Sequence, residues 1–515
     1  MRVTNTMLTN NSLVNMQKTK SNYLTYLEQY STQKKISKPS DDPIIAVRSL
    51  KYRTSMSELE QYTKKNIPDA MSWMDTTEKA LTQVNDMLTY MNGYCVQAAQ
   101  DSYELEDRDT IIDTLKQYKE FIYNQQLNQD YAGRYVFAGY RTDTEMMFKE
   151  DQSHQTYSIV ENQVPADISQ DKYVYGGAVY TAGKSAEDYA NMAPELRECY
   201  KITLSYDELD TTNNPSNPEE YKDYVTISYT DADGNPVKVT AKTMSVAEMP
   251  QNTAYNLEIN GVGADGAVFI PETGELIIGD NLYEDIKKTE GYSISYNKTE
   301  FTTQNVRPEH YFDCTVYDAV TEETINYSNP DEQNIDYQIN FGQMLTVNTL
   351  GNESISLGIG RTIDNIVTAS NDLSAAKDAL ASVEKRIAET SLDAVDANGN
   401  NIVESLTRLK EELETEITLK TTILHEAFGA GLTDVKKYQN EVNTSLSDLG
   451  ARYKRLQLTE SKLEKLQVSY EELLSTNEDV DIGEAYIKYT EADLLYQASL
   501  SATSKLLGNS LLDFI

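Results

Sequence analysis

The chain has 515 residues, with 82 Asp and Glu against 45 Lys and Arg and a formal net charge of −37. That balance excludes nucleic acid and anionic lipid as natural partners, and a chain this long has room for roughly two to four domains. Cys95, Cys199 and Cys314 give neither a disulfide framework nor zinc spacing, and no apolar run nears the ~20 residues that cross a membrane.

Charge and proline divide the chain. Residues 1–141 hold 17 basic and 17 acidic residues, residues 142–357 hold 12 and 38, and residues 358–515 hold 16 and 27. All twelve prolines lie between Pro39 and Pro330. Proline-free ends rich in Ala, Leu, Glu, Lys and Gln read as long helices. The first residues carry no unbroken apolar run, so no Sec-type signal peptide is expected.

In chain order, the first helix carries a stripe at Leu13, Met16, Tyr23, Leu27 and Tyr30, interrupted by Lys20. The segment "SKPSDDP" comes next. Asp42 is suited to cap the second helix, with Pro43 in its first turn, where a missing N–H costs nothing. Pro39 and Pro43 make the connection stiff, so Pro39, Asp42 and Pro43 are read as a hinge. Pro68 is expected to break or kink the second helix, with a fresh start carrying Asp69 in its first turn. Apolar spacing continues through Met74, Leu81, Val84, Leu88 and Met91, then through Ile111, Leu115, Tyr118 and Ile122.

The pattern then changes. "AGRYVFAGY" (132–140) reads as a short hairpin. From 142 to 357 strands dominate: "DYVTISYTDADGNPVKVTA" and "AVFIPETGELIIG" are hairpins, "GYSISYN" and "DYQINFG" are strands, and "TTNNPSNPEE" is a loop. Two amphipathic helices joined by the turn "DANGNN" are expected within 374–433. Beyond them Val442, Leu446, Leu449, Tyr453, Leu456, Leu463, Tyr470 and Leu474 repeat by fours, threes and sevens, broken at Glu460 and Gln467. That is a coiled-coil-like seam. The last stretch, "SATSKLLGNSLLDFI", concentrates Leu506, Leu507, Leu511, Leu512, Phe514 and Ile515 where chains are commonly frayed and polar, and burial in a partner is expected.

Catalytic chemistry finds little support. His154, His310 and His425 sit in three unlike contexts, and "HEAFG" lacks the second histidine of a zinc-protease pair. "GVGADG" (261–266) matches GxGxxG in form, but a strand with proline follows it where a nucleotide site needs a helix, so it is a turn. "DADGNP" and "DANGNN" lack the spacing of calcium loops and are also turns. No catalytic residue, cofactor or metal ligand is expected, and no enzyme.

The two ends together resemble the flagellin superfamily, through "STQKKISKPSDDPIIAVRSLKYRTSMSELEQYTKKNIPDAMSWMDTTEKALTQVNDML" and "LGARYKRLQLTESKLEKLQVSYEELLSTNEDVDIGEAYIKYTEADLLYQASLSATSKLLGNSLLDFI". "SKPSDDP", "GRYVFAG" and "SLLDFI" resemble its hook–filament junction branch more than filament flagellins. The resemblance implies a mainly α fold with a β-rich insertion, the N- and C-terminal helices paired as a coiled coil or bundle. Residues 1–40 and 475–515 would form an inner helical layer, disordered in the monomer. Residues 41–141 and 358–474 would form a helical bundle with an extra hairpin near 374–433, and 142–357 an acidic variable domain standing outside. The implied assembly interface is Leu13, Met16, Tyr23, Leu27, Tyr30, Leu446, Leu449, Leu456, Leu463, Leu506, Leu507, Leu511, Leu512 and Phe514. Implied partners are copies of the chain in a ring-like array, hook-associated protein 1, flagellin and an export chaperone, with no membrane insertion. The implied location is the extracellular flagellum, reached without a cleaved signal peptide. The alternative is a filament flagellin, or a relative whose middle domain binds or adheres.

Overall fold

The computed structural model describes residues 5–100, 105–177, 179–211, 225–231, 233–245, 255–258, 260–330, 332–396 and 398–512. Contacts divide the chain into two compact units. Unit 1 is Met1–Met71, Asp336–Leu345 and Arg452–Ile515; unit 2 is Ser72–Ile335 and Thr346–Ala451. The boundary expected at 141/142 therefore separates no compact unit, because most strands share unit 2 with helices and the hairpin at 336–345 belongs to unit 1. The loop "TTNNPSNPEE" lies almost wholly outside the described residues.

Helix α1 spans Asn5–Thr32 and α2 spans Pro43–Gln61. The cap of α2 is as the sequence implies: Asp42 Oδ1 accepts from the N–H groups of Ile44 (2.9 Å) and Ile45 (3.2 Å), and Pro43 opens the helix. As expected at Pro68, α2 ends before it and a new α-helix starts beside it with Asp69 in its first turn, but the two are bridged rather than separated. A π-helical stretch, Tyr62–Asn66, leads without interruption into α3, Ile67–Ala98. The wider π turn takes up the register that a ring without an N–H disturbs, so the chain continues as helix. Within unit 2, Met74, Leu81, Val84, Leu88 and Met91 are all buried. Helix α4, Leu105–Glu120, runs into a second π stretch, Phe121–Leu127.

A tight hairpin comes after it, β1 Asp130–Tyr131 and β2 Arg134–Tyr135, a few residues earlier than the sequence places it. Its turn, Ala132 (φ 54°) and Gly133 (φ 78°), has the positive-φ pair that matches strand twist. Val136, Phe137 and Ala138 then leave the hairpin and enter the core.

The remaining strands are β3 Gln155–Gln163, β4 Ser169–Tyr175, β5 Glu195–Thr203, β6 Thr226–Thr230, β7 Pro236–Thr240, β8 Lys242–Thr243, β9 Ala267–Ile270, β10 Glu275–Ile278, β11 Tyr292–Lys298, β12 Asp313–Asp318, β13 Glu323–Tyr327, β14 Asp336–Asn340 and β15 Gln343–Thr346. Short helices α5 (Ala186–Ala190), α6 (Asp280–Ile286) and α7 (Gly351–Ser354) punctuate them. One sheet has the order β4-β5-β10-β9-β8, the other β13-β12-β3-β11-β6-β7, and β14 pairs with β15. The named hairpins are β6–β7 and β9–β10. In the six-stranded sheet, "GYSISYN" alternates as written: Tyr292, Ile294 and Tyr296 are buried, while Ser293 and Ser295 stand opposite Ser228 and Thr226. Strands β9 and β10 are buried at every position, so both faces of the five-stranded sheet are covered there.

Helix α8 spans Gly358–Glu389, α9 spans Ile402–Glu478 and α10 spans Ile482–Leu512. The two helices joined by a turn expected within 374–433 are present, as the end of α8 and the start of α9, but both are longer than that span: α8 begins at Gly358 and α9 runs for 77 residues into the heptad seam. No proline interrupts that stretch, and its apolar positions keep one phase: Phe428, Val435, Val442, Leu449, Leu456 and Leu463 recur every seven residues and are each at most 1% exposed. The α8–α9 turn is held in unit 2 by a cluster of Tyr189, Val383, Leu406, Leu409 and Leu413. At the start of α8, Gly358 lies so close to the Tyr438 hydroxyl that a Cβ would stand 2.1 Å from it.

Candidate assembly surfaces

The terminal helices pair in unit 1. Tyr23 stacks on Tyr496 (ring centroids 5.5 Å) and contacts Tyr489 (5.7 Å); Tyr30 contacts Tyr486 and stacks on Tyr489, both at 5.7 Å. Rising numbers on α1 meet falling numbers on α10, so the pair is antiparallel. The α10 seam is a full 3-4 repeat: Ala485, Tyr489, Ala492, Tyr496, Ser499 and Thr503 are buried or half-buried. Alternating Ala and Tyr lets small residues admit the rings between the helices. On α1 the half-buried residues include Thr9, Leu13, Met16, Thr19, Tyr23, Tyr26 and Leu27. Lys20 is exposed, and Thr19 fills its expected place, its hydroxyl donating to the Met16 carbonyl at 3.0 Å.

Of the residues the sequence assigns to an interface, Leu13, Met16, Tyr23, Leu27 and Leu446 are half-buried within the chain, and Tyr30 is 38% exposed. Leu449, Leu456 and Leu463 are at most 1% exposed. These three hold the chain's own helices together and have no face left for another molecule. The side chains of Leu506, Leu507, Leu511, Leu512 and Phe514 lie outside those described.

What the pair leaves uncovered is apolar. Met7, Leu8, Val14 and Leu24 on α1, and Ile482, Ile487, Leu494, Leu495 and Leu500 on α10, are 41–67% exposed. A helix with apolar residues around its whole circumference belongs to a buried environment, and α10 has one such side covered by α1. Apolar exposure on this scale marks a binding surface. These positions fall off the heptad phase, so the periodicity of the sequence does not mark them. Helix α2 adds Ile44 (66%), Val47 (53%) and Leu50 (62%) on one face.

The two linkers into the terminal helices are tied together. The Lys35 N–H donates to the Glu478 carbonyl, and the Val480 N–H donates to the Gln33 carbonyl at 3.0 Å. Arg53 reaches the Glu478 carboxylate at 2.7 Å, Lys34 pairs with Asp479, and Asn477 donates to Ser49 Oγ (2.7 Å) and to the Ile45 carbonyl (3.0 Å). Burial works to raise the Glu478 pKa, but hydrogen bonds from Arg53 and Ser49 and the charge of Arg53 and Lys34 outweigh it and hold the carboxyl below its usual value. At the Pro39–Pro43 corner, Asp41 accepts from the N–H groups of Ser37 (3.1 Å) and Lys38 (2.9 Å). The segment read as a hinge is therefore braced on both sides.

Unit 2 holds a cavity of about 250 Å³ lined by β4, β5, β10, α8 and α9. Lys201 sits in its wall between Asp171 (2.7 Å) and Glu275 (3.0 Å), and Glu275 also accepts from Tyr255 (2.7 Å) and Thr273 (3.0 Å). Both charged forms are favoured: Lys201 is raised and Glu275 lowered, each against its own burial. Burial pushes the neighbouring Cys199 thiol up to about 12, so it stays protonated at neutral pH. This is a neutralised ion triad joining three strands, with no poised nucleophile. The "GVGADG" segment is a turn, with Gly261 and Gly263 at positive φ. Asp231 and Asp396 spend their carboxylates on turn N–H groups.

Long helices at both ends, a β-rich middle and uncovered apolar faces on the terminal pair define a mainly helical protein with surface left for another molecule. The ends match two family models: the bacterial flagellin N-terminal helical region over residues 3–142 and the bacterial flagellin C-terminal helical region over residues 432–515. The chain is also similar to flagellar hook-associated protein 3 of Escherichia coli K12, 27% identical over 144 residues, which is 28% of this chain and 45% of that protein. The Salmonella typhimurium LT2 protein of the same name is 26% identical over 143 residues, again 28% and 45%. A flagellin of Clostridium tyrobutyricum is 29% identical over 122 residues, 24% of this chain and 32% of that one. The chain spans just under half the length of the curated hook-associated relatives it matches. A solved flagellar junction protein from Legionella pneumophila overlaps 85% of this chain and 100% of that chain at 11% identity, but its TM-score of 0.29 carries no argument.

Proposed function

We propose that this protein is a structural subunit of the bacterial flagellum that joins hook to filament. It would assemble on hook-associated protein 1 in a ring-like zone and present a surface on which flagellin polymerises. The observation that carries the reading is the α1–α10 pair, one seam of which is closed while Val14, Leu24, Ile487, Leu494 and Leu495 face outward. Ordering backbone costs ~1–2 kcal/mol per residue, and each fully buried apolar side chain returns only ~1.5–3 kcal/mol. A two-helix layer closes that balance by burying its outer faces against neighbouring subunits. The role is mechanical and involves no catalysis. Export by the flagellar apparatus, without a cleaved leader and with a chaperone, is part of the same reading.

The test is a deletion strain examined by electron microscopy, with the protein located by immunogold. Hooks without filaments, flagellin lost to the medium, and label confined to the hook–filament boundary are expected. Label along the whole filament would make the protein a flagellin, the second reading favoured by the Clostridium tyrobutyricum match. Hydrogen exchange on purified monomer addresses the terminal layer: weak protection at 1–35 and 480–515, gained on assembly, is expected.

A further inference from the structure

The cavity of unit 2 lies where one face of α8 and one face of α9 meet the five-stranded sheet. Thr362, Ala369 and Asp372 line it from α8, and Ile423, Ala427 and Asp434 from α9; steps of three, four and seven keep each set on one side of its helix. The two helices run antiparallel along it. The Thr362 hydroxyl donates to the Asp434 carboxylate (3.3 Å), and the Lys420 ammonium donates to the Asp372 carbonyl (3.3 Å). The short side chains Ala369 and Ala427 border about 250 Å³ of open space in a kind of interior that is normally close packed.

The charges around this space do not balance. Five carboxylates and three lysines line it. Lys201 is shared by Asp171 and Glu275, Lys172 is held by Glu426 (2.7 Å), and Lys420 is held by Glu416 (2.7 Å). Lys437, which acts on Asp434, is itself paired with Asp167 (2.8 Å). Among the described residues neither Asp372 nor Asp434 has an ion-pair partner. Asp434 feels Asp171 and Lys201, and Asp372 feels Glu275, so the order along the cavity is Asp434, Asp171, Lys201, Glu275, Asp372. Surrounding protein raises both outer carboxyls, and neither Lys420 beside Asp372 nor the Thr362 hydroxyl and Lys437 beside Asp434 cancels that rise. The cavity is two cations short. Its remaining wall includes the rings of Tyr173 and Tyr255, stacked at 5.3 Å, with Val174 and Ile423, a surface that suits methylenes and favours positive charge.

We infer that this cavity binds a linear aliphatic polyamine, with one terminal ammonium on Asp372, the other on Asp434, and the methylene chain along Ala369, Ala427 and the tyrosine pair. The spacing selects the class. Thr362, which holds Asp434, and Asp372 stand about 15 Å apart along α8 at ~1.5 Å per residue. Allowing ~2.8 Å for each charge-assisted hydrogen bond leaves roughly 9–10 Å between end nitrogens, the span of extended spermidine. A single metal ion cannot bridge carboxylates so far apart. The inference is independent of the assembly role.

The test is isothermal titration calorimetry of the purified full-length chain with spermidine, in about 0.15 M salt to screen the general attraction of an acidic surface. One site per chain is expected, filled by spermidine at least about tenfold more tightly than by butylamine, which carries one charge. Asp372→Asn and Asp434→Asn should each weaken binding by about tenfold or more, and Ala427→Leu, which keeps every charge and fills the space, should abolish it. Melting curves separate binding from folding. Without ligand both Asn variants should melt at or above the wild-type temperature, and spermidine should raise the melting of the wild type alone. Absence of a saturable site at millimolar spermidine, unchanged binding in the three variants, or equal binding of Mg²⁺ overturns the inference. Asn variants that melt well below the wild type assign the two carboxylates to folding and overturn it as well.

Discussion

The seven-residue seam of α9 and the terminal pair α1–α10 use similar residues to opposite ends. Along α9, Phe428, Val435, Val442, Leu449, Leu456 and Leu463 vanish into the chain's own packing. On α10, Leu494 and Leu495 stand 67% and 61% exposed, although leucine is as apolar in one place as in the other. The difference is one of neighbours. The α9 seam meets several elements of its own chain, whereas α10 meets a single thin helix that covers one side. Burial completed within the chain stabilises the subunit; burial left open stabilises only the assembly.

The largest way to sharpen this contrast is Phe428→Ala, fully buried in unit 2. Cavity formation should cost about 3–5 kcal/mol, read by denaturant unfolding of the monomer. Loss of well under ~2 kcal/mol would mean that the seam packs loosely.

Next in size is His310, buried in unit 2 with Nε2 3.0 Å from the Glu145 carbonyl. Burial lowers its pKa to about 4, against the opposing pull of Glu309 and the Glu145 carbonyl and with help from Arg307 and Arg141. The folded state therefore resists protonation that the unfolded chain accepts near pH 6.5. Stability is full above that pH and falls as pH drops toward about 4, by up to about 3 kcal/mol. His310→Gln should flatten this slope in urea titrations between pH 6.5 and 4; an unchanged slope would assign it to other groups.

Smaller is Glu478→Gln in the linker clamp. Because Arg53 is largely exposed, a loss of about 1 kcal/mol is expected, seen as faster amide exchange at Lys35 and Val480. Since Glu478 and Asp479 both titrate below their usual values, the wild-type clamp holds above the ordinary carboxylate range and loosens as pH falls through the lowered values. Smallest is Leu494→Glu. The monomer should change by less than ~0.5 kcal/mol in chemical unfolding while assembly is lost. A strongly destabilised monomer would show that α10 already has a complete partner set.

The helical ends, the hairpins, the Asp42 cap and the buried phase of α9 were legible because each is a local property of the chain. A cap needs one oxygen two or three residues ahead, and a seam needs one repeat. Pro68 marked the restart at Ile67 with Asp69 in the first turn, but not the bridge before it, because a proline's effect depends on whether the backbone can shift to a wider turn, which residues 62–66 do. The helix–turn–helix of 374–433 was legible in "DANGNN", but the length of α9 was not, because nothing in the sequence marks a stop until Glu478. Of the interface set, the stripe on α1 was found on its closed side, and the outward leucines, valines and isoleucines were passed over for being out of phase.

By itself the sequence determined which segments are helix or strand, which ends pair in kind with flagellin helical regions, and which face of each helix seeks cover. Those features come from periodicity, capping chemistry and proline placement, all readable within a few turns of backbone. Only the tertiary structure decided which apolar faces find that cover inside the chain and which remain for another molecule. Exposure depends on every neighbour at once, and residues as distant in sequence as Lys201 and Asp434 become walls of one cavity only when the chain has folded.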